Sequence, residues 1–111
     1  MRRWILLLVV VAALAVPSAA PAGVRLVRVT SPVSAGSYAT LTVAVTVRAT
    51  CSINVYYKSG PSHAAGLYPK ASVAGRVSWT WKVGTRTTAG RWPINVSCGH
   101  AGSLRTSFVV R

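Results

Sequence analysis

Cys51 and Cys98 are the only cysteines, and His63 and His100 the only imidazoles, in a chain that contains no Asp or Glu. These four side chains are the strongest candidates for nucleophilic, redox or metal chemistry, and the missing acids restrict what they can do. Zinc would find four ligands of the right type, but no C-x₂-C or H-x₃-H chelating pair is present, so no metal centre is expected. Thioredoxin-type exchange needs its cysteines close together, whereas these are 47 residues apart. Two-carboxylate glycoside hydrolysis, an acid-oriented Ser-His triad and carboxylate-held Ca²⁺ or Mg²⁺ have no carboxylate to work with. His63 and His100 stand in loop contexts and read as solvated side chains. The expectation is a protein that is not an enzyme, with no catalytic residue and no cofactor.

The two cysteines have a simpler reading. Both carry the inward parity of a strand end, and the chain opens with an export signal (below). An even pair in an exported domain reads as one disulfide, Cys51–Cys98. Closing a loop of that length stabilises a fold by about 4 kcal/mol in the chain-entropy model.

The remaining candidates are basic and aromatic. Lys and Arg number 13, for a formal net charge of +13, where an ordinary domain mixes both signs. Tyr56, Lys58, His63, Tyr68 and Lys70 flank the Gly60-Pro61 stretch, and Arg76, Lys82, Arg86, Arg91 and Arg105 fall on outward positions or in turns. Aromatic faces interleaved with cations can stack sugars or bases while the cations hold phosphate or sulfate. The expected polyanion-binding set is therefore Lys58, Lys70, Arg76, Lys82, Arg86, Arg91 and Arg105, with Tyr56, His63 and Tyr68 as aromatic loop candidates. Anionic polysaccharide or cell-wall polymer is the expected partner class, and nucleic acid is also compatible with the charge.

Residues 1–22 read as a secretory signal peptide. Arg2 and Arg3 form a basic start, an apolar run from Trp4 to Val16 follows, and small residues with A-x-A-like cleavage sites close it. The run is short of the ~20 residues that span a bilayer, so no stable membrane anchor is expected. Residues 23–111 then form one domain, secreted or held in the cell envelope and expected to be a monomer. A domain of roughly 90 residues buries a limited share of its surface and gains from a cross-link.

Period-two alternation marks the strands that must hold these side chains. In residues 38–48, Ala39, Leu41, Val43, Val45 and Val47 share one side. Residues 76–83 and 91–98 place Val77, Trp79, Trp81 and Val83, then Trp92, Ile94, Val96 and Cys98, on one side each. Three Trp side chains are thus expected in a single core. Residues 24–30 read as an edge strand interrupted by Arg25 and Arg28. Residues 51–58 turn Cys51, Ile53, Val55 and Tyr57 inward, and residues 103–110 turn in Leu104, Phe108 and Val110. Residues 68–73 form a weak edge strand broken by Pro69, residues 59–66 a loop, and Pro93 implies a bulge or a non-hydrogen-bonded position. About seven short strands with frequent turns indicate an all-β sandwich.

The stretches Ser34-Ala-Gly-Ser-Tyr-Ala-Thr-Leu-Thr-Val, Cys51-Ser-Ile-Asn-Val-Tyr-Tyr, Trp79-Thr-Trp and Gly90-Arg-Trp-Pro-Ile-Asn-Val-Ser-Cys98 resemble bacterial extracellular immunoglobulin-like modules over nearly all of residues 23–111. That resemblance implies an immunoglobulin-like β-sandwich serving as a spacer, adhesive or carbohydrate-facing unit. The expected function is an exported, non-catalytic binding or structural module that contacts anionic polymers through its basic surface. The alternative is a cationic secreted effector that acts on foreign membranes.

Overall fold

The computed structural model describes residues 23–111; the expected signal segment, residues 1–22, lies outside the described residues. Alternation builds the first sheet. Strand β2, Tyr38–Val45, buries Ala39, Leu41, Val43 and Val45, and β6, Arg76–Lys82, buries Val77, Trp79 and Trp81. The two pair antiparallel, with Ala39 opposite Trp81, Leu41 opposite Trp79 and Val43 opposite Val77. The small Ala39 leaves room for the Trp81 indole in a layer that must pack without voids. Strand β1, Val24–Val29, lines the other edge of β2. Arg25 and Arg28 would point to opposite faces of a regular strand. The register slips between Leu26 and Arg28, and this bulge leaves both arginines exposed, opposite Ala44 and Thr42.

The second sheet is built on β3, Thr50–Tyr57, β7, Gly90–Ser97, and β8, Ser103–Val110. Its order is β4-β3-β7-β8, where β4 is Gly60–Pro61, and a further short strand, β5, Lys70–Ala71, pairs with the start of β3. Cys51, Ile53, Val55, Ile94, Val96, Phe108 and Val110 meet the first sheet's apolar face, and no polar or charged side chain is buried among the described residues. Between β1 and β2 the chain crosses to the second sheet. There the Val33 N–H donates to the Val109 carbonyl (2.9 Å), and the Arg111 N–H donates back to the Val33 carbonyl (3.0 Å). The result is the expected all-β sandwich of two antiparallel sheets.

The register that sets Ser52 opposite Ser97 sets Cys51 opposite Cys98, and the two form the disulfide with their Cα atoms 4.1 Å apart. The bond therefore ties neighbouring strands of one sheet at the end of their ladder. Both cysteines are buried, and neither remains available as a metal ligand.

Several local expectations change. β2 stops at Val45, so Val47 is 46% exposed and no longer shares the buried face. The weak strand over 68–73 shrinks to β5, and the loop over 59–66 contains β4. A single 3₁₀ turn, Gly99–Ala101, separates β7 from β8. Pro93 causes no bulge. The β7–β8 register runs unbroken past it, and the β3–β7 ladder stops at Ile94, where a missing N–H would otherwise leave a β3 carbonyl without a partner. Tyr57, Leu104 and Trp92 turn inward but are only partly buried, because they stand at the rim of the sandwich. The Trp92 ring meets Tyr57 edge-on, with centroids 6.4 Å apart, and its indole N–H donates to the Thr88 carbonyl (2.8 Å).

Candidate functional site

With no Asp or Glu in the sequence, the Lys and Arg side chains have no acidic side-chain partner, and the fold distributes most of those among the described residues over three surfaces. The first is the outer face of the β1-β2-β6 sheet. Cross-strand register aligns Arg25, Ala44 and Arg76 in one row, then Arg28, Thr42 and Ser78 in the next. Lys82 lies opposite Tyr38 at the far end of the same face, ~20 Å along β6 from Arg76 at strand spacing. Hydroxyl pairs run down the middle: Thr40 Oγ1 with Thr80 Oγ1, and Thr42 Oγ1 with Ser78 Oγ, both at 2.8 Å. Each pair uses one of its two O–H donors and leaves the other for an acceptor outside. Lys70 closes the edge of β6, donating from Nζ to the Ser78 carbonyl (2.8 Å) and lying 5.2 Å from the Tyr68 ring centroid. Next to it the Trp79 indole N–H donates to the Tyr68 carbonyl (2.8 Å).

The second surface is the outer face of β3, β7 and β8. Register sets Asn54, Asn95 and Arg105 in a row, and Arg91 Nη1 donates to Ser107 Oγ (3.1 Å). Tyr56 lies on this face, opposite Pro61 of β4.

The third surface is concave. At the end of the sandwich where β3 and β6 finish, the segments 57–65 and 82–88 enclose two adjoining cavities that share Tyr57, Ser59, Gly84 and Thr87. Lys58 and Arg86 line one; Lys82 and His63 line the other. Tyr57 opens onto both. Its phenol oxygen accepts the Trp81 indole N–H (3.2 Å), and its ring packs on Phe108 at 6.0 Å. Burial pushes the Tyr57 pKa above its usual 10.0, opposed by the Trp81 hydrogen bond, so the phenol is neutral at physiological pH. Folding thus favours the protonated phenol. Its contribution to stability is complete below pH 10 and declines only as alkaline pH ionises the ring.

The seven expected cations do not form one patch. Arg76 and Lys82 belong to the first sheet, and Lys70, on β5 of the second sheet, reaches the edge of β6 with its side chain; Arg91 and Arg105 lie on the outer face of the second sheet, and Lys58 and Arg86 at the end groove, which Lys82 also reaches. The aromatic loop trio also separates: Tyr56 is on a sheet face, His63 in the groove and Tyr68 beside β6. His63 and His100 sit at opposite ends of β3, near Tyr57 and Thr50 respectively. Arg25 and Arg28 were not among the expected cations. Their signal was the broken alternation of β1, which only the bulge explains. The opposite end of the sandwich exposes Val47 and Val73, with Arg48 beside them, along a groove lined by residues 45–50 and 71–75.

Tyr57 also yields a stability prediction. Tyr57→Phe leaves the indole N–H of the fully buried Trp81 without its partner, which costs about 1–3 kcal/mol. Urea titration of the variant is expected to show a lower midpoint with an unchanged slope; an unchanged midpoint contradicts this role.

No protein-family model matches the sequence, and no curated protein matches it at the sequence level. Solved structures do match in shape. One chain of the crystal structure of titin domains z1z2 in complex with telethonin superposes with a TM-score of 0.50 at 13% identity, over 83% of this chain. This chain spans 48% of that one, about half its length. Titin domain M7 covers 84% of this chain and is matched over 96% of its own, at 18% identity and a TM-score of 0.45. With the two-sheet topology described above, the likeness to the z1z2 domains identifies the fold as an immunoglobulin-like β-sandwich.

Proposed function

We propose that this chain is an exported, non-catalytic immunoglobulin-like module that binds anionic polysaccharide or cell-wall polymer outside the cell. The observation that carries this reading is the uncompensated charge: the sequence sets its Lys and Arg against no Asp or Glu, and no Lys or Arg is buried among the described residues. Such a surface offers donors and positive potential to any polymer rich in acceptors. The same composition argues against catalysis, since neither imidazole has an acid to orient it, and the disulfide occupies both sulfurs. Export is inferred from residues 1–22 and agrees with the disulfide. The z1z2 domains with a partner in complex are an instance of this fold serving recognition.

Electrostatic binding of this kind releases counterions and weakens steeply with salt. With about four ion contacts, affinity for heparin or a teichoic-type polymer is expected to fall about a hundredfold between ~50 and ~200 mM salt. Retention on the immobilised polymer that does not change with salt contradicts the proposal. The end that carries exposed Val47 and Val73 beside Arg48 supports a second reading, a cationic effector on foreign membranes. Leakage from anionic vesicles, without retention on the polymer, would favour that reading.

A further inference from the structure

We propose that the end groove between residues 57–65 and 82–88 is a binding site for one tetrahedral oxyanion, the phosphate or sulfate monoester of a glycan, a proposal that presupposes the polyanion reading above. The two sheet faces present their cations on flat surfaces, and two of the expected cations are already engaged. Lys70 donates to the Ser78 carbonyl and Arg91 to Ser107. Lys58 and Arg86, by contrast, have no hydrogen-bond partner among the described residues, and both border a concavity large enough for a charged group with part of its carrier. A guanidinium matches the oxygens of a phosphate or sulfate through paired N–H donors, and an ammonium adds a compact charge.

Tyr57 supplies what a chance cluster of surface bases lacks. Its oxygen accepts the Trp81 N–H, which leaves the phenol proton as the donor for a ligand. Its position is set from behind: Trp81 is fully buried and packs edge-on against Phe108, with ring centroids 5.7 Å apart. A neutral donor held by a buried partner is preorganised, so little ordering cost remains when an anion arrives. Ser59, Thr87 and Thr88 add hydroxyl-bearing residues to the lining, and the turn that carries Arg86 is closed by the Thr87 N–H donating to the Gly84 carbonyl (3.1 Å). The sequence contains no Asp or Glu side chain to repel the anion.

The test is an NMR titration of the exported protein with inorganic phosphate and, separately, inorganic sulfate, at constant ionic strength set by chloride. Saturable shifts are expected in segments 57–65 and 82–88 and at the Trp81 indole N–H. Stronger saturation by one of the two anions assigns the ester class. Tyr57→Phe is expected to weaken affinity roughly tenfold, the loss of one hydrogen bond to a charged group. Because that substitution also affects stability, the exposed pair Lys58→Gln/Arg86→Gln provides the second arm and is expected to abolish saturation, while Arg91→Gln/Arg105→Gln leaves it intact. Shifts spread evenly over all three basic surfaces, or equal losses in both double variants, overturn the site. Salt-dependent retention on heparin separates the two levels: if retention persists without localised shifts, only the groove assignment fails, whereas absent retention removes the polyanion reading itself.

Discussion

Replacing Cys51 and Cys98 together by alanine is expected to cost about 4 kcal/mol. The estimate follows from the 47-residue separation of the bonded pair, which holds the unfolded chain in a closed loop. A domain of this size has a total stability of only about 5–15 kcal/mol, so the double variant loses between about a quarter and about four-fifths of it. At ~4–8 °C per kcal/mol for small domains, its melting temperature should fall by about 15–30 °C. The native ladder itself should survive in the folded fraction, because Ser52 still pairs with Ser97 beside the vacant positions. Scanning calorimetry of the double variant, set against the disulfide-bonded parent protein, checks this. A melting point within a few degrees of the parent would mean that the apolar core alone determines stability.

Trp81→Ala is expected to cost about 3–5 kcal/mol, comparable to loss of the disulfide. Trp81 is fully buried, and the residue directly opposite it across the β2–β6 pair is Ala39, which is too small to fill the space left behind. The substitution also strips Phe108 of its edge-on partner and Tyr57 of its donor. Trp92→Ala should cost clearly less, because Trp92 sits at the rim and is already partly solvated. Denaturant midpoints of the two variants, measured side by side, decide the matter; equal losses would contradict the depth assigned to the two rings.

The contrast between these tryptophans shows how far alternation can be read. Trp79, Trp81 and Trp92 all have inward parity, and all three turn toward the interior. Parity states which side of a strand a residue takes; it carries nothing about distance from the end of the sandwich. Trp92 lies two residues past the last β3–β7 pair, where the sheets no longer cover each other, and so becomes a rim residue against Tyr57 and Thr88. Val47 differs for the same reason: it keeps the parity of Val43 and Val45, but the ladder beneath it has ended. In β1 the opposite happened. Arg25 and Arg28 looked like interruptions, and a one-residue bulge turned them into a matched pair on the solvent face.

Candidate binding residues were legible by type and not by grouping. That the chain offers cations and hydroxyls without a single acid is a matter of composition. Which cations share a surface depends on strand neighbours that are distant in sequence. Arg25 and Arg76 align only because β2 lies between their strands, and Lys58 and Arg86 meet only because the ends of β3 and β6 stack from opposite sheets. The segments that make the groove, 57–65 and 82–88, have no periodicity from which a contact could be read.

Taken alone, the sequence determined the all-β class, the inward set around Leu41, Trp79, Trp81 and Val96, the Cys51–Cys98 bond and the shortage of groups for acid-dependent catalysis. Each of these follows from local alternation or from residue counts, which need no knowledge of neighbours. Tertiary structure alone decided the depth of Trp92, the division of the cations among two flat faces and one groove, and the coupling of Tyr57 to Trp81. Those are consequences of two sheets closing on each other. Contacts between strands far apart in the chain are created by packing, and period-two patterns do not encode which strands will meet.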